Sequence, residues 1–360
     1  MIANCPVSTY SEFQPLEEVL VGQAYPPGSF AYSHDSELRD GIDRILSETE
    51  EDLQKLVGLF ESFGVKVRRP STLFELGTSN GEARTLDFNL FNFTFPNHPL
   101  MPRDTVVVAG NQLIQTYTKS ANRYLENWAY YSLFKEYFDQ GARWTSMPAP
   151  FFTEHPKTYD LFEDKKILFH AANLLKCGKD IFYSQPGEGE WSEKGKGTSS
   201  GIKWLQQELG DTYRFHAAPC AGHLDGKIAL LKPGLVITWS PKHIPAALSK
   251  WDIIQVNSPN PFPEYFQKIK KQRFYKDFVQ QWLKEWIGYV DETVFDVNMF
   301  SVSEKCVITN GYNKTVFDQL KHHGVEAIPW NFRHQYFWDG AIHCVTLDIR
   351  RTGGLEDYTS

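Results

Sequence analysis

The stretch Trp338–Arg351, WDGAIHCVTLDIRR, sets the terms on which the rest of the chain is read. Its local chemistry predicts a turn at Asp339-Gly340, an apolar strand from Ala341 to Leu347, and a charged exit through Asp348, Arg350 and Arg351. Cys344 follows His343 at a position where a purely structural strand would hold valine or isoleucine equally well. A thiol in that place is either a small core hydrophobe or a nucleophile. The surrounding sequence has to decide.

Working outward, a strand-and-helix grammar recurs along the chain. Glu17 to Val21 reads as a strand closed by Gly22, Ser36 to Phe63 as a long amphipathic helix, and VKVRRP after Gly64 as a returning strand. MPRDTVVVAGNQLIQT gives two short strands around Ala109-Gly110-Asn111, followed by a helix over Asn122 to Phe138. Ile167 to Ser184 repeats the pattern as strand, Gly-Lys-Asp turn and strand, with a helix at Gly201 to Leu209 and a strand at Tyr213 to Ala218. Lys227 to Trp239 is a hairpin on Lys232-Pro233-Gly234, and Phe278 to Trp286 is helical. Met299 to Thr309 is a strand pair, Lys314 to His323 a helix and Val325 to Ile328 a strand. Five units of similar length suggest a pseudo-repeated α/β ring forming one domain over residues 1–360, with an ordinary mixed α/β sheet as the alternative. Gly187 to Ser200 reads as a surface loop.

With 360 residues, 41% hydrophobic and 22% charged, the chain has ample material for a core. A net charge of -7 argues against a nucleic-acid binder, which needs a basic face. The N-terminal residues lack the basic start and apolar run of a secretory signal, and no stretch reads as a membrane span, so a cytoplasmic location is expected. Five widely spaced cysteines without a C-x-x-C pair speak against a disulfide framework or a zinc site. Cys5, Cys177 and Cys306 are expected to be structural, and Cys220 a spacer.

Three polar groups interrupt apolar or turn-like segments: Asp104 before TVVVAG, His223 and Asp225 in GHLDG, and Cys344 in IHCVTL. On an extended chain His223 and Asp225 point to one side. The same residues also suit ordinary turns and solvated loops.

Taken together, PLEEVLVG, MPRD, the run Asn122 to Glu126, FHAAN, GKDIF, GHLDG, the KPG hairpin, Val297-Asn298 and IHCVTLDIRR resemble the amidinotransferase family over essentially the whole chain. That resemblance implies a five-bladed pseudo-symmetric α/β propeller of ββαβ modules around a central channel. It implies Cys344 as nucleophile, His223 as acid and base, and Asp104 and Asp225 as a clamp whose carboxylates match the forked donors of a guanidinium. Asn298, Lys242 and Glu292 fall among its substrate-binding positions. The partners implied are a small guanidino donor and a primary amine, free or borne on a carrier protein, with homodimerisation and with no metal or organic cofactor.

The chain departs from the family at two places. The usual F-D-A-A-(D/N) motif, whose first aspartate orients the catalytic histidine, reads Phe169-His170-Ala171-Ala172-Asn173 here, so His170 stands where the orienting carboxylate is expected. Lys242 replaces an arginine that grips the donor's α-carboxylate, and Asp291-Glu292 fall where serines are expected. Acidic groups there would repel a carboxylate, so the donor expected is arginine-like without being fixed as arginine. The small residues Cys220, Ala221 and Gly222 leave room for a larger acceptor. Competing expectations are a guanidino hydrolase, a cysteine-dependent acyl transferase making an amide from a thioester, and an inert binding protein.

Overall fold

The computed structural model describes residues 5–29, 36–71, 78–79, 82–83, 98–118, 123–124, 126–149, 166–185, 197–261, 264, 268, 271 and 294–360. Strand β1 (Leu16–Val21) lies between β17 (Thr346–Arg351), to which it is antiparallel, and β2 (Lys66–Arg68), to which it is parallel. The parallel return needs a crossover. Helix α1 (Ser36–Ser62) supplies it, ending where Gly64 takes φ +75°.

The same order recurs four times among the described residues: an antiparallel pair, then a parallel third strand. β5 (Val106–Ala109), β6 (Gln112–Gln115) and β7 (Arg143–Ser146) form one such sheet, with α2 (Tyr131–Asp139) in its crossover. β8 (Leu174–Cys177), β9 (Asp180–Ser184) and β10 (Arg214–Ala218) form the next, crossed by α3 (Ser199–Leu209). Then come β11 (Ile228–Lys232), β12 (Leu235–Thr238) and β13 (Asp252–Gln255). Last are β14 (Phe300–Ser303), β15 (Cys306–Asn310) and β16 (Glu326–Trp330), crossed by α4 (Lys314–His322). The two-residue strands β3 (Thr78–Ser79) and β4 (Glu82–Ala83) pair separately.

Within each sheet burial declines from the first strand to the third. Val106–Ala109, Leu174–Cys177 and Ile228–Leu231 are wholly buried, whereas β2, β7, β10, β13 and β16 each expose residues. Continuous apolar runs such as VVVA and IALL are what strands covered on both faces require. The cores lie between sheets. Leu20, Leu347 and Ile349 pack with Val106, Val108 and Leu113; Val107 and Ile114 pack with Leu174 and Ile181. Leu175 and Phe182 pack with Ile228 and Val236; Leu231 and Ile237 pack with Val307; Phe300 and Ile308 pack with Leu16 and Val19.

Three expectations need correction. The opening stretch is not a strand from Ala341: residues 342–345 form a turn, with the amide of Val345 donating to Ala341 O at 3.0 Å, and the strand is Thr346–Arg351. The charged residues read as an exit are therefore inside β17, because ion pairs described below satisfy them. Likewise Ile167 to Asn173 is not a strand, and β8 begins only at Leu174 after a 3-10 turn. In the fourth sheet, β13 is reached through the 3-10 turns Pro241–His243 and Ala246–Leu248 instead of a helix, as Pro241 and Pro245 dictate. The helix over Phe278 to Trp286, most of the loop from Gly187, and the first residue of the helix from Asn122 lie outside the described residues; that helix is seen as the turn Glu126–Ala129 followed by α2.

Candidate active site

Six of the residues singled out by sequence, Asp104, His170, His223, Asp225, Asn298 and Cys344, occupy one kind of place, the turn that enters the first strand of a sheet. Asp104 ends the 3-10 turn Pro102–Asp104 before β5. His170 and His223 each precede a 3-10 turn, Ala171–Asn173 before β8 and Leu224–Gly226 before β11, and both have extended backbones. Asp225 lies inside the second of these turns. Asn298 stands just ahead of β14 and Cys344 just ahead of β17. Short hydrogen-bonded turns on buried strands are rigid mounts, as a site of fixed geometry demands.

Side chains from the entry turns of all five sheets meet here. Cys344 Sγ lies 3.6 Å from Asp225 Oδ2, and Asn298 Nδ2 donates to the sulfur at 3.3 Å. Asn298 also donates to Asp225 O at 3.3 Å and accepts the His343 amide at 3.1 Å through Oδ1. Asn310 bonds the Asn298 carbonyl and accepts the Ile342 amide, so two asparagines pin the cysteine turn from the β14–β15 side. Across from it, His223 Nε2 meets His170 Nδ1 at 3.1 Å, and His223 Nδ1 faces Asp104 Oδ1 at 3.9 Å. Cys344, Asp225 and Asp104 are each at most 3% exposed.

Burial pushes the Cys344 thiol well up, and the Asp225 and Asp104 carboxylates push it further; bonds from Ala341 and Asn298 offset only part of this. Both aspartates keep one buried oxygen, Oδ1, without a hydrogen-bond partner. Their other oxygens are committed: Asp104 Oδ2 accepts from Arg123 at 2.6 Å, and Asp225 Oδ2 pairs with His343 Nδ1 at 2.9 Å. A buried carboxylate oxygen with no partner is costly, and a flat cation with several N–H donors removes that cost at both positions.

Sequence reasoning missed the layer beneath. Arg103, next to Asp104, donates through Nε to the carbonyls of His343 and Thr346 and pairs with Asp348 at 2.8 Å, tying one carboxylate turn to the cysteine turn. Asp348 also receives Lys176 at 3.2 Å and Arg351 at 3.1 Å, and Glu12 receives Lys176, Arg103 and His343. Burial alone would raise the Asp348 carboxyl, but Lys176, Arg103 and Arg351 hold it well below the usual range. Losing one partner of such a set costs about 3–5 kcal/mol, because a buried charge is left uncompensated. Arg123 is held by Glu126 at 2.7 Å. The legible signal for this layer was charge inside apolar strands, in LLKC and TLDIRR.

Other expectations fare differently. Among the described residues no hydrogen bond or ion pair joins Lys242 to these groups; it is exposed on the turn Pro241–His243. Glu292, with Asp291, lies outside the described residues. All five cysteines are free and buried.

No family model matches the chain. Inosamine-phosphate amidinotransferase 1 of Streptomyces griseus is 31% identical over 377 aligned residues, covering 96% of this chain and 97% of that protein. The chain belongs to the amidinotransferase family. Among solved structures, the amidinotransferase SxtG of Microseira wollei, from the saxitoxin biosynthetic pathway, superposes with a TM-score of 0.72 at 27% identity, covering 98% of this chain and all of that one. StrB1, the inosamine-phosphate amidinotransferase from Streptomyces griseus, gives 0.72 at 29% identity, over 99% of this chain and all of that one. As an amidinotransferase the chain is a transferase, and its α/β fold is that of guanidino-group-modifying enzymes. The imidazole pair, His170 with His223, stands where the resemblance read from sequence leads one to expect a carboxylate and an imidazole.

Proposed function

We propose that this amidinotransferase moves an amidino group from an arginine-like guanidino donor to a primary amine through a covalent intermediate on Cys344. The observation that carries this reading is the pair of buried carboxylate oxygens without a hydrogen-bond partner, Asp104 Oδ1 and Asp225 Oδ1, with the thiol against the other oxygen of Asp225, Oδ2, and the His223 imidazole facing Asp104 Oδ1. A guanidinium held by both presents its planar carbon to sulfur. It also supplies the positive charge that the thiol lacks, so that binding of the donor favours the thiolate.

Cys344 passes its proton to His223, sulfur bonds to the guanidino carbon, and the C–N bond to the departing amine breaks as His223 delivers that proton to the leaving nitrogen. In the second half the acceptor amine, deprotonated by His223, bonds to the same carbon and the C–S bond breaks, returning the thiolate. His170 takes the orienting part: as acceptor of a hydrogen bond from His223 Nε2, its Nδ1 selects the tautomer whose Nδ1 lone pair faces the reaction. A neutral imidazole gives no counter-charge to the imidazolium that forms, which makes it a weaker orienter than a carboxylate.

We infer that residues 1–360 form one domain whose five sheets are the blades of a five-bladed propeller. What supports this is that each core is shared by two sheets and the five pairings run in a closed cycle. A biosynthetic role in secondary metabolism is supported by the pathway in which SxtG works. No helix among the described residues is long and apolar enough to cross a membrane, in keeping with a cytoplasmic enzyme, acting as a homodimer on small molecules or on an acceptor borne by a carrier protein.

The test is incubation with donor labelled at the guanidino carbon and a panel of primary amines. Label is expected in a new guanidino product that forms only with acceptor. Label released as urea or a ureido compound without acceptor would replace the reading by hydrolysis, and label left wholly in the donor while a thioester acylates Cys344 would replace it by acyl transfer.

A further inference from the structure

The substitution that sets this chain apart also assembles a donor set that a metal ion can use. Asp104, His170 and His223 each offer a ligand atom within 4.8 Å of a ligand atom from the other two. Asp104 and His170 are almost wholly buried, and the His223 side chain is only 12% exposed. The two ring nitrogens that face each other, His223 Nε2 and His170 Nδ1, are 3.1 Å apart. Two ligands each about 2.1 Å from one ion stand about 3.0–3.4 Å apart for angles between octahedral and tetrahedral. The observed separation falls in that range.

We propose that Asp104, His170 and His223 form a site for one first-row divalent transition ion, and that its occupancy excludes a guanidino donor. The third ligand is Asp104 Oδ1, the buried oxygen that has no hydrogen-bond partner, while Arg123 holds Oδ2 at 2.6 Å and so fixes the carboxylate plane as an outer-shell support. Arg123 does not make the site cationic, because Glu126 engages its Nε and Nη2. Two imidazoles and one carboxylate suit zinc, cobalt or nickel and not magnesium or calcium, which favour oxygen ligands. The mounts are stiff, since both histidines stand at the starts of hydrogen-bonded 3-10 turns. With an aspartate at position 170 the set would exchange one imidazole nitrogen for a carboxylate oxygen and add a negative charge. Occupancy uses Asp104 Oδ1, assigned above to donor binding, and ligation through His223 Nε2 places the ring proton on Nδ1, removing the lone pair assigned above to proton transfer. The ion is therefore inhibitory; the exclusion clause alone rests on the proposed function.

The experiment is titration of the metal-free full chain with Co2+, read by visible absorption and by equilibrium dialysis. One ion per chain is expected, with the d–d bands of nitrogen and oxygen ligation, no thiolate-to-cobalt charge-transfer band, and displacement by Zn2+. Affinity should fall at least tenfold in His170→Asn and in Asp104→Asn, each checked for an unchanged melting transition, and should persist in Cys344→Ala. Guanidinium ion should weaken Co2+ binding in competition. Absence of stoichiometric binding, equal affinity in both ligand variants, or a charge-transfer band that vanishes in Cys344→Ala would overturn the site. Co2+ binding indifferent to guanidinium would overturn the exclusion while leaving the site. Failure of amidino transfer with every donor would remove the proposed function without touching the metal titration.

Discussion

Cys344 was legible as a chemical residue only because other polar groups in the chain pointed the same way; on its own strand it reads equally as core. Asn298 and Asp225 touch the sulfur, contacts that no spacing along the chain could show and that favour the chemical reading. Because burial and two carboxylates raise the thiol, its reaction with the neutral reagent iodoacetamide is expected to climb about tenfold per pH unit from pH 7 through 9, as the thiolate fraction grows. Peptide mapping assigns the rate to residue 344 among five cysteines, and a plateau below pH 8 would contradict the raised thiol. At position 170, transfer should fall about 10²-fold or more in His170→Ala, since His223 loses the partner that selects its tautomer, and His170→Asp should be at least as active as the natural chain. Equal kcat in the alanine variant would remove His170 from the mechanism. Lys242, expected among the substrate-binding positions, lies exposed on the turn Pro241–His243.

At the scale of elements, hairpins declared themselves through turn chemistry, as Lys232-Pro233-Gly234 does with φ +80° at Gly234. The turns that carry the site did not, since Ala341 to Val345 and Phe169 to Asn173 are apolar enough to pass for strands. What holds the first as a turn is tertiary: side-chain oxygens of Asn298 and Asn310 take the amides of His343 and Ile342. Charge in β17 misled for a related reason, as Asp348 and Arg351 look like a solvated exit until Arg103 and Lys176 arrive from other elements. A close approach tests the packing of α3 beneath the His170 turn. A Cβ on Gly201 would stand 2.0 Å from the Leu168 carbonyl oxygen, and both groups are backbone-mounted. Gly201→Ala is therefore expected to destabilise by about 1–3 kcal/mol, seen as a lower midpoint in urea, despite the better helix propensity of alanine. An unchanged or higher midpoint would mean that α3 does not sit so close.

For the whole molecule, five repeated units could be counted from strand and helix rhythm alone, but which sheets share a core could not, because the pairing of distant strands is written in shape and not in period. The interior also stores a pH dependence. His98 is fully buried, accepts the Tyr25 amide through Nδ1 at 3.3 Å, and is pushed down to about 3, by burial first and by Arg123 second. A folded value below the unfolded one means that stability is complete above about pH 6.5 and is lost as pH falls toward 3, by up to about 1.4 kcal/mol per pH unit for this one group. Burial lowers His334 in the same direction. The urea midpoint is thus expected to drop between pH 6.5 and 5, and less steeply in His98→Gln, which keeps an acceptor for Tyr25; parallel slopes would contradict this. All functional statements converge on a single sulfur that accepts a guanidino carbon between two carboxylates. The direct measurement is the mass of the acid-quenched protein after mixing with an arginine-like donor and no acceptor. One added C(NH)NH2 group is expected, mapped to Cys344, absent in Cys344→Ala and discharged by a primary amine. Protein that stays unmodified with every guanidino donor, or carries the group on another residue, would contradict it.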